Sequence, residues 1–368
     1  MNDGHSGYKI KAIDWYRYKL DRKEPFVIAT GTSKEITNVI VRIRSEELVG
    51  WGAASPNTVT GETTETIERF LIDGRRSLVG VDPLDLPGIH RSMNSPSGVN
   101  ATAMAGVDIA IHDLIGKIYN SPVFSLLGQQ KASMETSMTI GISDLKSTIA
   151  RSKKSVESGF RILKLKVGLD LEKDIRRIRE VRRAVGDEVR FRIDCNQGYS
   201  VKMAERLVNE LEPLSIEFIE QPVPADDWEG LRDLTRMSSI PIMADEAVKT
   251  PTDAERLAEG RYADMLNVKL MKCGGIYPAM KIADICDEAG IKIMIGCMAE
   301  CQASIAAGLH FALSREVVEY ADLDSHLSLS NDPTKAVDCL EGRLYPHKGP
   351  GLGLEVNQVA LLFPFPYA

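Results

Sequence analysis

ILKLKVG, residues 162–168, decides the fold: it is a short extended run with one apolar side and one doubly basic side. Side chains alternate between the faces of a strand, so Leu163, Leu165 and Val167 point one way and Lys164 and Lys166 the other. The apolar set suits packing against helices, which turns both lysines toward the inside of a closed sheet. Strands of the same kind recur downstream: VRFRIDCN (189–196), IEFIEQP (216–222), PIMADE (241–246), DMLNVKL (264–270), IKIMIGC (291–297) and VVEYADLD (317–324), with METSMTIGI (134–142) before them. Matched positions are Lys164, Asp194, Glu220, Asp245, Lys269, Gly296 and Asp322, at steps of 30, 26, 25, 24, 27 and 26 residues. A β/α unit needs about that length, and repeated right-handed units close into a barrel. Between the strands lie amphipathic stretches such as LEKDIRRIREVRRAVG (171–186), with the apolar stripe and charged face of an outer ring.

Outward from the barrel the pattern changes. Residues 8–19 and 36–44 alternate like antiparallel strands, and Met104, Val107, Ile111 and Leu114 recur at helical spacing in 101–119. The expected division is an α+β domain over 1–127, a barrel over 128–330, and a Gly/Pro-rich tail over 331–368 that returns to the first domain.

The parity argument places charge at the ends of many strands. Lys164, Lys166, Asp194, Asn196, Asn267, Lys269, Asp322 and Asp324 are expected to face inward, and Glu220 and Asp245 end strands four and five. One buried charge costs several kcal/mol unless paired, so a single such lysine reads equally well as a structural ion pair. Charges from six strands at the C-terminal mouth do not read that way, because barrel enzymes work at that face. Asp194, Glu220 and Asp245 offer three hard oxygen ligands without histidine or cysteine, which suits one Mg²⁺ per subunit rather than zinc. Lys166 precedes the three metal strands and Lys269 follows them, so in a closed ring they flank the metal. A substrate carboxylate on the metal would then hold its α-carbon between two amines. Asn196 and Glu246 are read as orienting Lys269 and the ligands, although Glu246 could equally be a surface ion pair. Asn267 is placed beside them, and Met298, just past strand seven, among the substrate contacts.

KLK (164–166), DCNQ (194–197), EQP (220–222), ADE (244–246) and NVKLMKCGG (267–275), with GWGAASP (50–56), TGET (60–63) and the closing GPGLGL, resemble the muconate-lactonizing subgroup of the enolase superfamily. The resemblance runs over nearly the whole chain. It implies a modified (β/α)₇β barrel under an α+β cap built from the N-terminal region and the tail. It also implies Mg²⁺-assisted removal of the α-proton of a carboxylate. That proton is very weakly acidic because its loss makes a dianionic enediolate, whose second charge the metal must stabilise. Lys164 would add positive charge beside the substrate carboxylate. Lys166 and Lys269 would act as the two bases, one taking the proton and the other returning it.

The eighth strand chooses among the subgroup's cycloisomerases, o-succinylbenzoate synthases, N-acylamino acid racemases and dipeptide epimerases. Asp322-Leu323-Asp324 would repel a dicarboxylate and attract the ammonium of a free dipeptide, and EYADLDSHLSL resembles the dipeptide epimerases there. The competing explanation is that the pair caps a following helix. Strand seven ends in GCMAEC without the histidine of the superfamily's dehydratases. A Schiff-base aldolase would not need three carboxylates, and a non-catalytic binding protein would not keep all five main polar positions. Members that epimerise dipeptides ending in glutamate carry an arginine in the capping loop. Gly31 stands at that position here, with Lys34 the nearest substitute. Glu35 and Glu62 would suit a cationic second residue, and Ile28 and Val59 an apolar one.

Bulk composition fits this reading. The 368 residues are 43% hydrophobic and 26% charged, with net charge −7, which disfavours nucleic acid or anionic lipid as partner. No apolar run approaches the ~20 residues of a membrane span. MNDGHSGYKIK has no apolar signal core, and six cysteines in so long a chain form no disulfide framework. A cytoplasmic homo-oligomer acting on a small dipeptide, without nucleic acid or membrane, is the expectation.

Overall fold

The computed structural model describes residues 8–29, 31–93 and 99–362, and of residues 32–34 the backbone alone. Eight strands form one sheet, each parallel to its neighbours: Met138–Ile140, Ile162–Lys166, Arg190–Asp194, Ile216–Glu220, Ile242–Ala244, Met265–Lys269, Lys292–Gly296 and Val318–Asp322. They are called strands one to eight below. Seven helices connect them, Leu145–Glu157, Leu171–Val185, Val201–Leu211, Trp228–Met237, Pro251–Gly260, Ile276–Ala289 and Gln302–Ser314, which gives the (β/α)₇β order. No helix among the described residues is long and apolar enough to cross a membrane.

The helices begin where side chains satisfy their free amides. Asp170 accepts the Lys173 N–H, Asp227 the Gly230 N–H, and Thr250 with Asp253 forms a reciprocal capping box behind Pro251. Their apolar stripes meet the outward faces of the strands. Leu163, Leu165, Ile193 and Val268 are buried in one cluster with Ile178, Leu207, Leu234 and Ile282. Truncating one of these to alanine would cost about 2–5 kcal/mol. Inside, Phe218, Met243, Met265 and Met294 fill the floor of the barrel. Arg192 lies on that floor, bonded to Glu217 and to the Ala321 carbonyl, with its guanidinium over Phe218 and Tyr320.

Two expectations about the strands need correction. Residues 134–142 do not form one strand. Met134–Glu135 pairs antiparallel with Arg343–Pro346, and only Met138–Ile140 joins the barrel. Between them the chain changes partners, with Thr136 N–H on Gly342 and Ser137 N–H on Ala321. The matched position on strand two is Lys166, opposite Asp194, not Lys164. The shift is two residues, so it preserves the face.

The cap is a three-stranded antiparallel sheet, Ala12–Ile28, Gly31–Arg44 and Val49–Ala54, with helix Ala101–Ile118 packed on it. The contact is close because GWG presents no side chains there. A Cβ on Gly52 would stand 2.3 Å from the Gly106 carbonyl, and one on Gly50 2.1 Å from that of Ala110. The other face of this sheet buries Tyr18, Leu20, Ile40 and Trp51 with Leu329 and Leu361, so the C-terminal tail completes the cap. The long first hairpin leans over the barrel. Val27 accepts the Ile142 N–H, a Cβ on Gly141 would meet the Phe26 ring at 3.3 Å, and one on Gly168 would meet Ala29 at 3.2 Å. Its tip therefore rests on the ends of strands one and two.

Candidate active site

Parallel register puts Lys166, Asp194 and Glu220 side by side at the ends of strands two, three and four. Asp245 follows one residue beyond strand five, and Lys269, Gly296 and Asp322 continue the row. All of these side chains are buried. Lysines pair with these carboxylates, and Lys164 bridges three of them. Lys164 Nζ lies 2.7 Å from Asp322, 3.0 Å from Asp194 and 2.8 Å from Glu220. Lys166 Nζ is 2.5 Å from Asp194, and Lys269 Nζ 2.7 Å from Asp245.

The supporting residues read from the sequence are present in the same network. Asn196 accepts a hydrogen bond from Lys166 Nζ at 3.1 Å and donates to Glu246 at 3.2 Å. Its φ of 41° is in the left-handed region, as is that of Gln221 at 35°. Such backbone is costly without glycine and concentrates at functional loops. Asn267 donates to Glu220 Oε1 at 2.8 Å. Glu246 is buried rather than a surface ion pair, and burial with the Asp245 and Asp194 charges pushes its carboxyl up to about 7.

The two aspartates of strand eight differ. Asp322 is sunk beneath the site and accepts from Lys164, Ser137 and Thr139. Burial would raise its pKa, but Lys164 holds it well below the usual carboxylate range. Asp324 remains partly exposed and takes the Thr139 N–H at 2.6 Å. Burial and the Asp322 charge push it up to about 6. Met298, half-buried in the loop after strand seven, donates its N–H to Glu300.

Four participants escaped the sequence reading. Lys272 Nζ contacts Asp245 Oδ1 at 2.7 Å, the Asp245 carbonyl, and the Asn267 carbonyl at 2.9 Å. Gln221 accepts the Asp245 N–H at 2.9 Å and the Ala247 N–H at 3.2 Å, fixing the turn that carries Asp245. Glu300 is buried in the strand-seven loop, and Ser137 joins strand one to Asp322. Lys272 and Glu300 had a signal in being charged residues inside apolar motifs, and Gln221 in its place within EQP; Ser137 had none.

The charges leave room for a cation. Burial pushes the Glu220 carboxyl up to about 8, with Asp194 and Asp245 adding to it and the lysines only partly offsetting. Glu220 Oε2 receives no hydrogen bond, its contact with Lys164 being an ion pair without hydrogen-bond geometry. Among the described residues no three His, Cys, Asp or Glu side chains stand as a coordination cluster, and ammonium groups contact oxygens of Asp194, Glu220 and Asp245. Three buried all-oxygen donors from adjacent strands, one of them unsatisfied, nevertheless fit a small hard divalent ion. Burial alone would lower the pKa of Lys269, but Asp245 and Glu220 outweigh it and keep the ammonium charged. A cation on those carboxylates would remove that hold.

Residues 12–128 match the family described as "Mandelate racemase / muconate lactonizing enzyme, N-terminal domain", and residues 148–360 match "Enolase C-terminal domain-like". The chain is 40% identical to an L-Ala-D/L-Glu epimerase of Clostridium acetobutylicum, over 94% of this chain and 98% of the relative. A crystal structure of a dipeptide epimerase from Enterococcus faecalis, complexed with Mg and L-Leu-L-Tyr, superposes with a TM-score of 0.92 at 37% identity, covering 94% of this chain and 99% of the other. The N-succinyl Arg/Lys racemase of Bacillus cereus superposes at 0.94 with 31% identity, covering 98% of both chains.

Proposed function

Because the chain belongs to the mandelate racemase/muconate lactonizing family of the enolase superfamily, we propose that it is a Mg²⁺-dependent dipeptide epimerase inverting the α-carbon of the second residue. The observation that carries the reading is the placement of Lys166 and Lys269. They stand on strands two and six, each ion-paired to a different carboxylate of one buried cluster. Asp194, Glu220 and Asp245 would hold the ion. When bound, it supplies positive charge against the negative charge that develops on the substrate carboxylate. Lys164 adds a fixed cation beneath that carboxylate. One of Lys166 and Lys269 removes the α-proton from its face, and the other delivers a proton to the opposite face. Asn196 holds Lys166 and ties it to Glu246. Asn267 holds Glu220.

The dipeptide ammonium is assigned to the Asp322–Asp324 pair. Asp324 is the less buried of the two, while Asp322 contributes charge from below. The second residue of the substrate is apolar. Glu35 is ion-paired to Lys19, and Glu62 accepts the Thr102 N–H, so neither acid of the cap is poised for a cationic side chain. A dipeptide library incubated with the protein and Mg²⁺ in D₂O tests the reading. Deuterium at the second α-carbon with appearance of the other epimer is expected. Its absence from every dipeptide, with exchange of an N-succinyl amino acid instead, would replace the assignment.

A further inference from the structure

The loop after strand seven, residues 297–301, is fastened from two sides. From the cap, the fully buried Asn38 donates to the Ala299 carbonyl at 3.0 Å and accepts the Cys301 N–H at 2.9 Å. Ser55 donates to the same Ala299 carbonyl at 2.5 Å. From the turn after strand eight, Ser325 Oγ accepts the Glu300 N–H at 2.7 Å and donates to the Glu300 carbonyl at 3.0 Å. These contacts hold the backbone of residues 299–301. Met298 is held differently, from within the loop. Its N–H donates to Glu300 Oε1 at 2.6 Å. The Glu300 side chain is only 3% exposed and lies within electrostatic reach of the Lys269 ammonium.

We propose that Glu300 is a positioning residue: its carboxyl closes the 298–300 turn and thereby sets Met298 and the wall of the site on the side where Lys269 works. This rests on the two-base epimerase reading. A buried carboxylate that makes no ion pair among the described residues and one short bond to a backbone amide is costly to keep for packing alone. Its value is as an acceptor pointed at one N–H. Burial pushes the carboxyl up to about 7, while the Met298 N–H and Lys269 pull it down. A glutamine offers the same carbonyl acceptor without the charge. Loss of the acceptor frees Met298 and lets that wall shift, and displacements of ~1 Å can cost about 10²-fold in rate.

The test is α-proton exchange in D₂O, measured separately on each epimer of one dipeptide. Lys166→Ala and Lys269→Ala first identify which epimer reports which lysine. Glu300→Ala is then expected to lose at least about tenfold in exchange of the epimer served by Lys269, with less than about threefold change for the other. Glu300→Gln should recover most of the loss. If Glu300→Ala does not fold, Glu300→Asp, one methylene short of the Met298 amide, should show the same face-selective loss. Equal losses on both faces, no loss, or a glutamine variant as impaired as alanine would overturn the inference. Wild-type protein that exchanges neither epimer would instead overturn the epimerase reading, so the two failures are distinguishable.

Discussion

Lys164 Nζ stands 2.7 Å from Asp322 Oδ2, joining strands two and eight inside the barrel across the seam of the sheet. Lys164 is thus a hub. It also pairs with Asp194 and Glu220, so one ammonium couples the eighth strand to two carboxylates of the proposed cation site. The two aspartates of Asp322-Leu323-Asp324 should accordingly separate by phenotype. Asp322→Asn removes one of three charges from a buried cation, and breaking buried pairs costs about 3–5 kcal/mol. A lower Tm together with lost activity is expected. Asp324→Asn keeps an acceptor for Thr139 and should leave Tm near wild type. It should raise KM for dipeptides, since a charge-assisted contact to an ammonium becomes a neutral one. Melting curves and steady-state kinetics check this. Wild-type kcat/KM on dipeptides in both variants would show that neither is an ammonium site.

The cation site makes a separate prediction. Asp194→Ala, Glu220→Ala and Asp245→Ala should each abolish Mg²⁺ binding in calorimetry while circular dichroism stays native. Turnover should fall by roughly 10³-fold or more, since several kcal/mol of charge stabilisation disappear. Glu220→Gln is informative because Asn267 can still bond it. Full activity in excess chelator would refute the metal requirement.

Much of this arrangement was legible because strands have a period of two. Once Leu163, Leu165 and Val167 are assigned to the helices, Lys164 and Lys166 must face inward, and a register error of two residues does no harm. The rest depended on irregular backbone. Lys272 reaches Asp245 because a short helix, Leu270–Cys273, turns back immediately after strand six. Glu300 and Gln221 act from loops, where no periodicity says which way a side chain points. Residues 134–142 read as one strand because their residue types alone do not reveal that the chain changes partners at Thr136 and Ser137. The side chain of Lys34, the suggested stand-in for the missing arginine, lies outside the described residues.

The cap and the barrel are also joined by a buried titrating cluster, which predicts the pH dependence of stability. Asp108 on the cap helix accepts the Ile276 N–H at 2.5 Å at the start of a barrel helix, and contacts His90 at 2.8 Å and His112 at 3.1 Å. Burial would raise the Asp108 carboxyl, but His112 and His90 hold it well below the usual range. Burial would lower His112, but Asp108 holds it above the ordinary imidazole value of 6.5. The Asp108 contribution is therefore present above about pH 4 and lost as pH falls through its depressed pKa. The His112 contribution is complete below about pH 6.5 and lost as pH rises through its raised pKa. Urea midpoints should be highest between those limits. Asp108→Asn should lower stability by about 3–5 kcal/mol near pH 6 and remove most of the alkaline slope. An unchanged slope would place the titration elsewhere.

The two lysines predict an asymmetry. Lys166→Ala and Lys269→Ala should each stop epimerisation, because inversion needs both faces. Each variant should still exchange the α-proton on the face of its surviving lysine, so one deuterates only the L,L substrate and the other only the L,D epimer. Interconversion of epimers at near wild-type rate by either variant would rule out the two-base mechanism.

On the proposed apolar specificity, substrate choice should be decided where the hairpin tip meets the barrel. The tip carries Pro25, Phe26, Val27, Ile28 and Ala29, and it rests on Gly141 and Gly168, beyond the ends of strands one and two, next to the strand bearing Lys166. None of these five side chains is charged. Across the mouth, the Val59 carbonyl accepts a hydrogen bond from Lys249, which anchors the second cap loop and leaves its apolar side chain half-buried. A glutamate side chain placed against these five residues would lose water and gain no charged partner from them, the Arg22 guanidinium over Phe26 being bonded to Ser328 and Lys249 to the Val59 carbonyl, at a cost of several kcal/mol. A leucine or phenylalanine would bury surface worth about 1.5–3 kcal/mol. Ala-Leu and Ala-Phe should therefore exceed both Ala-Glu and Ala-Lys in kcat/KM, by about 10-fold or more. Phe26→Arg should narrow the gap toward Ala-Glu by supplying a cation in place of the apolar ring at the tip. Initial rates of epimerisation on these four dipeptides decide it. Ala-Glu as the best of the four would mean that a cation reaches the pocket and that the apolar assignment of the tip is wrong.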